Sequence, residues 1–320
     1  MTPHPDIPVI DFSDFTNRSS LIANQVLEAC TRIGFFYIKN HQIPKDMIQN
    51  AFSLSKRFFD LPLKTKQTTP IQYNRGYIGL FVQRGFNIGP IIHGEYNHPL
   101  PKVFDESKDQ MEDFFRACHA TIVQVLEAFA IALEIPEEEG GREWFSKCHN
   151  YEDVTSGETI RYMKYPRGGE STYKEPVRAG AHSDFGTVTL LFQKDISGLE
   201  IQANRTEWIS APIIEDAILV NVGDLLQQWS NGLLLSTKHR VVFKPEHEDN
   251  DRYSIACFAQ PKRSTPLNPI PSHLVPKKLP VLPKELPDHL REKVITAGDY
   301  LQFCLDTAYA QSKKLQETTE

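Results

Sequence analysis

The spacing of apolar positions changes about halfway along the chain, from a helical to a strand-like period. A short extended start at residues 7–12 precedes an apolar stripe of period 3.6, for which Ser19 and Ser20 offer an N-cap and Gly34 a stop. Aromatic and β-branched residues at 35–41 predict a strand. Residues 44–62 predict a second helix, with a proline at its start and another at its end.

Residues 71–103 interrupt this helical half with many glycine, proline and aromatic residues. We predict a long irregular loop there, and loops of that length in compact domains usually carry function. The longest helix is predicted over residues 109–135, where apolar side chains recur every three or four positions. They are Phe114, Phe115, Cys118, Ile122, Val125, Leu126, Phe129 and Leu133.

From Thr159 onward, short apolar runs alternate with turns rich in Gly, Pro, Asp and Asn, a pattern typical of a barrel or jelly roll. Residues 297–311 predict a last helix. The predicted organisation is a helical region over residues 1–150 whose short strands join the barrel edge, a β core over 151–290, and a C-terminal helix and tail over 291–320. The fold class is therefore mostly β in its core, with flanking α-helices, and α+β overall.

The composition is that of an ordinary globular protein of 320 residues, with 40% apolar and 24% charged residues. A net charge of −6 and the lack of a Lys/Arg block argue against a nucleic-acid partner. No apolar run approaches the roughly 20 residues that span a bilayer, and no secretory signal is visible. Five scattered cysteines without a CxxC motif favour reduced thiols, and we expect a cytoplasmic protein without a membrane partner.

Two polar residues, His182 and Asp184, stand at the front of an apolar, β-branched run. On a strand, residues two apart point to the same side, so both can face one point. A further histidine, His239, opens another strand-like run later in the chain. Two histidines and one carboxylate form the facial triad that holds non-haem Fe(II). A His-x-Asp pair alone is a weak signal, and the alternative is a pair of histidines and an aspartate with no common role.

A second pair, Arg252 and Ser254, also lies two apart on a predicted strand. A guanidinium presents a fork of donors that fits a carboxylate, and the hydroxyl adds one hydrogen bond. The following residues are apolar, so we expect the Arg252 head to point inward, where it needs an anion. A dicarboxylate cosubstrate would supply that anion. The alternative is an ordinary surface salt bridge.

The motifs together resemble the 2-oxoglutarate- and Fe(II)-dependent dioxygenases, in their isopenicillin N synthase-like branch. The segments that carry the resemblance occur in family order along nearly the whole chain: IPVIDF, GFFYIKNHQIP, FFDLPLKTK, RGY, HSDFGTVTLL, GLEI, VNVGDLLQQWSNG, STKHRVV and RYSIACF. The resemblance implies a double-stranded β-helix, which is a jelly roll. It also implies an enzyme that uses Fe(II), 2-oxoglutarate and O2, with ascorbate as an expected stimulant.

Carried over by position, the resemblance makes His182, Asp184 and His239 both the catalytic residues and the iron ligands. Arg252 and Ser254 match the pair that binds the distal carboxylate of 2-oxoglutarate. Tyr165 matches a tyrosine expected near that cosubstrate. One departure stands two residues before it, because many plant-type members carry Asn where this chain has Met163. The missing hydrogen bond must come from elsewhere, and Arg161 is one candidate.

The substrate is expected to be a small metabolite of biosynthetic, secondary metabolism. Hydroxylation is the default outcome, with desaturation or rearrangement as alternatives. Aromatic residues and an arginine in the 71–103 loop would suit an aromatic or polyketide-like molecule that bears a carboxylate. The residues expected to contact it are Phe81, Arg84, Arg161, Met163, Phe192 and Trp229.

Other interpretations remain open at this point. The aromatic residues of the loop can simply pack onto the barrel. The chain can be a non-catalytic module that binds a small molecule, or an oxidase of this family that does not use 2-oxoglutarate. The expected assembly is a monomer or a weak homodimer.

Overall fold

The computed structural model describes residues 7–79, 83–153, 156–167, 177–243, 249–277 and 294–317. Within these residues two β-sheets face each other. The larger contains β1 (Val9–Asp11), β2 (Phe35–Lys39), β3 (Gly76–Gly79), β4 (Arg84–Ile88), β5 (Thr159–Tyr165), β7 (Val188–Lys194), β10 (Ala217–Val222) and β12 (Arg252–Phe258). The smaller contains β6 (Val177–His182), β8 (Leu199–Gln202), β9 (Trp208–Ser210) and β11 (His239–Val242).

The strand order places residues that are distant in sequence side by side. The larger sheet runs β1-β2-β10-β7-β12-β5-β4-β3, and the smaller runs β6-β11-β8-β9. Of the pairings in the described residues, β1 with β2 is parallel and the others are antiparallel. The N-terminal strands β1 to β4 thus extend the jelly roll at its two edges.

Helices flank the sheets: α1 (Phe15–Arg32), α2 (Lys45–Phe59), α3 (Leu63–Lys66), α4 (Lys102–Asp105), α5 (Lys108–Ala132), α6 (Asp224–Trp229) and α7 (Ala297–Glu317). Three short 3₁₀ turns follow α5, at Glu137–Glu139, Gly141–Glu143 and Ser146–Cys148. The predicted fold class, a jelly-roll β core with flanking helices and α+β overall, is confirmed.

The two faces of the larger sheet belong to different cores. Its outer face packs against the helices, and there Tyr162 and Phe192 join the apolar side of α5. Its inner face packs against the smaller sheet, and there Met163 and Tyr165 join Val241. Because successive strand residues point to opposite faces, odd-numbered positions of β5 look into the barrel and even-numbered positions look toward the helices.

Helix α5 is long and apolar enough, by length and composition alone, to cross a membrane. Its apolar side is nevertheless buried against α1, α2 and β7. It is therefore the central helix of the outer core, as the periodicity of residues 109–135 indicates.

Two expectations about the first half need correction. Helix α1 begins at Phe15, directly after Asp14 in a left-handed conformation (φ 50°), and not behind a serine cap at positions 19–20. Residues 71–103 are not irregular throughout, because they include the β3–β4 hairpin and α4. Glycines conceal the hairpin in the sequence. Gly76, for example, has φ 108°, and a Cβ there would lie 2.5 Å from the Pro70 carbonyl oxygen.

Phe192 tests the assignment of the two faces. Its ring lies 5.4 Å from that of Phe114 on α5, centroid to centroid. We expect Phe192→Ala to lower the free energy of unfolding by about 3–5 kcal/mol, because a buried ring leaves a cavity. Denaturant titration measures this, with the half-exposed Leu21→Ala on α1 as control. A loss no larger than that of the control would contradict the assignment.

Candidate active site

The two histidines of the predicted triad meet at one end of the smaller sheet. His182 is the last residue of β6 and His239 is the first residue of β11. These strands pair antiparallel, and the two histidines are direct cross-strand partners. Their ring centroids lie 4.4 Å apart. The sheet register therefore brings together two side chains that the sequence separates widely.

Asp184 reaches the same point from outside the strand. It lies in the turn between β6 and β7, so the expectation that His182 and Asp184 share one strand is wrong. The turn is fixed by the backbone, since the Asp224 amide donates to the Asp184 carbonyl oxygen at 2.7 Å. The ligand atoms of His182, Asp184 and His239 all lie within 4.8 Å of one another. A single metal ion fits among them.

The two oxygens of the Asp184 carboxylate have different surroundings. Oδ2 accepts hydrogen bonds from Thr189 Oγ1 at 2.7 Å and from Asn221 Nδ2 at 2.8 Å. Oδ1 faces His239 Nε2 at 3.7 Å. Hydrogen bonds of this kind orient a carboxylate toward a metal, and they leave Oδ1 as the ligand atom.

Local electrostatics favour the protonation states that a metal requires. Burial would raise the pKa of Asp184, but the neighbouring His239 and His182, with the hydrogen bonds from Asn221 and Thr189, hold it below its ordinary value. Burial lowers the pKa of His239. The aspartate is therefore ionised and His239 neutral near pH 7. His182 Nδ1 donates to the Gly180 carbonyl oxygen at 2.7 Å, which leaves Nε2 for the metal.

Arg252 forms a second polar centre inside the barrel. Its side chain is 1% exposed, and in the described part of the chain it has no carboxylate within 4.0 Å. Nη1 donates to Ser254 Oγ at 3.4 Å and Nη2 to Gln193 Oε1 at 3.2 Å, and its guanidinium lies 5.0 Å from the Tyr165 ring centroid. The alternative of a surface salt bridge therefore does not apply.

The buried Arg252 side chain suits an anionic ligand. Nε has no hydrogen-bond partner among the described residues, and burial lowers the pKa of the guanidinium. A buried cation without a counter-ion is costly, so the chemistry of this centre calls for an anion. The residues present thus fit the carboxylate of 2-oxoglutarate.

Both centres open into the same space. Thr189, which holds Asp184, and Gln193, which contacts Arg252, lie on the same face of β7. Four residues of a strand span about 13 Å. A short dicarboxylate between a metal at Asp184 and the Arg252 guanidinium would follow this inner face.

Arg161 and Met163, predicted to contact substrate, lie beside Tyr165 on the inner face of β5. Arg161 Nε donates to Asn87 Oδ1 at 2.7 Å, and its guanidinium lies 5.1 Å from the Phe258 ring centroid. Asn87 Nδ2 in turn donates to Asn74 Oδ1 at 2.9 Å. The structure therefore brings Arg161 and Met163 to the site.

The structure does not bring the other described substrate candidates to the site. Arg84 pairs with Lys164 and so shares the outer face of the larger sheet. Phe192 packs on α5, and Trp229 packs against Trp144, with ring centroids 4.8 Å apart. Phe81 lies outside the described residues. A strand buried on both faces shows no alternation, so its sequence does not reveal which face Phe192 occupies.

Sequence reasoning missed the residues that support the ligands. Thr189 and Asn221 are polar positions within apolar runs, and that contrast was a usable signal. Gln193 and Asn87 gave none, because their roles depend on pairings between distant strands.

Comparison with known proteins agrees with this geometry. The family model for the 2OG-Fe(II) oxygenase superfamily matches residues 157–261, and the model described as non-haem dioxygenase in morphine synthesis N-terminal matches residues 7–91. The chain belongs to the 2OG-Fe(II) oxygenase superfamily. The predicted enzyme class is confirmed, and so are Fe(II) and 2-oxoglutarate as cofactors.

Individual relatives cover most of the chain. UPF0676 protein C1494.01 of Schizosaccharomyces pombe is 32% identical, covering 96% of this chain and 94% of its own. Proline hydroxylase buaE of Petromyces alliaceus is 31% identical, covering 81% and 88%. A full-length Neurospora crassa protein, solved in complex with alpha-KG and thymine, is 29% identical and covers 95% and 97%, with a TM-score of 0.80.

Asn221→Ala tests the support of the metal site. It removes one of the two donors to Asp184 Oδ2, and we expect metal affinity to fall by about 10- to 100-fold. Mn(II) titration under anaerobic conditions measures this, with Asn204→Ala in an exposed loop as control. Equal affinities of the two variants would show that Asn221 does not orient the carboxylate.

Proposed function

We propose that the chain oxidises a small molecule with iron held by His182, Asp184 and His239. Arg252 and Ser254 bind the distal carboxylate of 2-oxoglutarate, and Tyr165 lies along the cosubstrate. One observation carries the proposal: a buried arginine without a counter-ion among the described residues shares the barrel interior with a complete His/Asp/His cluster.

Iron and O2 supply the oxidising chemistry, with 2-oxoglutarate as the electron donor that leaves as succinate and CO2. The protein's own groups hold the reactants. Asp184 contributes one negative charge to the metal, while the histidines stay neutral. The Arg252 guanidinium neutralises the far carboxylate. Met163, Tyr165 and Phe243 surround the cosubstrate with apolar surface, which keeps water out.

We further propose that the substrate is a flat ring with carbonyl groups, of the pyrimidine class. Arg161 offers hydrogen-bond donors, and its orientation is fixed by the 2.7 Å bond to Asn87. The half-buried ring of Phe258 provides a stacking surface beside it. The proposal is supported by the similar Neurospora crassa structures, which contain thymine and 5-formyluracil. The expected reaction is hydroxylation.

Amino acids are the second candidate class. The relatives include proline hydroxylase buaE and a 1-aminocyclopropane-1-carboxylate oxidase of Dictyostelium discoideum, 29% identical. In this case Arg161 would bind the substrate carboxylate. A biosynthetic role for a cytoplasmic monomer or weak homodimer is the wider proposal that the family resemblance implies.

Arg252→Leu separates cosubstrate binding from metal binding. We expect the KM for 2-oxoglutarate to rise by about 100-fold, because a charge-assisted pair to a buried carboxylate is lost, while Mn(II) affinity stays the same. Arg240→Leu, which removes a partly exposed arginine paired with Glu200, is the matched control. Equal loss of both affinities would identify Arg252 as a structural residue.

Succinate release identifies the substrate class. The protein with Fe(II) and 2-oxoglutarate is presented with thymine, uracil, L-proline and other small amino acids. We expect stimulation by the pyrimidines and a rise of about 10-fold or more in their KM in Arg161→Met, since each lost hydrogen bond to a charged donor weakens binding.

Two outcomes would contradict these proposals. Stimulation by amino acids alone would reject the pyrimidine class. No succinate with any compound, together with no Fe(II) binding under anaerobic conditions, would favour a non-catalytic binding module. His182→Ala is the reference variant: it should fold and lose turnover.

A further inference from the structure

Gln83 reaches the cosubstrate end of the barrel from the β3–β4 hairpin. It directly precedes β4, in which Arg84 pairs with Lys164 and Gly85 with Met163. The same antiparallel register places Gln83 opposite Tyr165, and cross-strand neighbours share a face. Its side chain therefore enters the barrel.

The Gln83 amide contacts two cosubstrate-side residues. Nε2 lies 3.4 Å from Tyr165 Oη and 3.6 Å from Met163 Sδ. Both distances are long for hydrogen bonds, and a thioether sulfur is a weak acceptor. The amide thus approaches a buried region without a strong acceptor among these contacts. A carboxylate or keto oxygen would be a better partner.

Position 163 leaves room for this approach. Met163 offers no amide of its own to a ligand, it is 7% exposed, and Gly85 opposite it has no side chain. Gln83 comes from the adjacent strand, over Met163, to the place where an amide at position 163 would lie.

We propose that Gln83 binds 2-oxoglutarate, with its side-chain amide donating to the cosubstrate in place of an amide at position 163. This inference rests on the proposed function, because it takes Tyr165 and Arg252 as the cosubstrate end. It gives the hairpin a role in cosubstrate binding. The same hairpin strand carries Asn87, which orients Arg161, so cosubstrate binding also stabilises the substrate side of the site.

Binding measurements test the proposal without turnover. Calorimetric titration of 2-oxoglutarate into the Mn(II)-loaded protein under anaerobic conditions gives the affinity. We expect Gln83→Ala to weaken it about 10-fold and to leave Mn(II) affinity and Tm unchanged, because the side chain is half-buried and makes only long contacts. Gln72→Ala, at an exposed position before the same hairpin, is the control.

A compensating substitution distinguishes a binding role from a general effect on the hairpin. The double variant Gln83→Ala/Met163→Asn restores an amide at the other position, and we expect it to recover most of the lost affinity. Recovery would not follow if Gln83 only stabilised the hairpin, and its failure would overturn the proposal.

The Arg252→Leu variant separates the two levels of the argument. If Gln83→Ala binds 2-oxoglutarate like the wild type while Arg252→Leu binds it weakly, the Gln83 proposal fails and the proposed function stands. If neither variant weakens binding, the proposed function fails as well.

Discussion

A buried guanidinium that lacks a carboxylate partner within the described chain is the constraint on which the interior of this barrel depends. Arg252 contacts the neutral Ser254 and Gln193 and lies against the Tyr165 ring, and none of these groups balances its charge. A fold that places a cation there without an anion carries a cost in free energy. A dicarboxylate ligand removes that cost. This links the stability of the interior to its function.

The jelly roll places the other charge at the right end of the same space. The β6–β11 pairing presents His182 beside His239, and the turn after β6 brings Asp184 to them. Thr189 and Asn221 fix one carboxylate oxygen and leave the other for a metal. Metal and arginine then form two anchors for one ligand, and the larger sheet sets their separation. The hairpin adds polar groups along one side of that ligand.

Much of this was visible in the sequence, because local patterns encode it. The strands after Thr159, the helix of residues 109–135 and the motifs around His182 and Arg252 all depend on neighbours in the chain. The hairpin was missed, since its glycines weaken the alternation and its pairing partner β5 lies about 75 residues away. Phe192 and Trp229 were placed near the substrate by position alone. Both sit in the outer core, and only the register of β7 and the packing of α6 decide that.

The measurement that tests the two-anchor account most directly compares the affinity of the wild-type protein for 2-oxoglutarate with and without bound Mn(II). The account predicts that metal loading tightens binding by at least about 10-fold, because one ligand then has partners at both ends. Metal-independent affinity would contradict it, since the ligand would then depend on Arg252 alone or bind elsewhere.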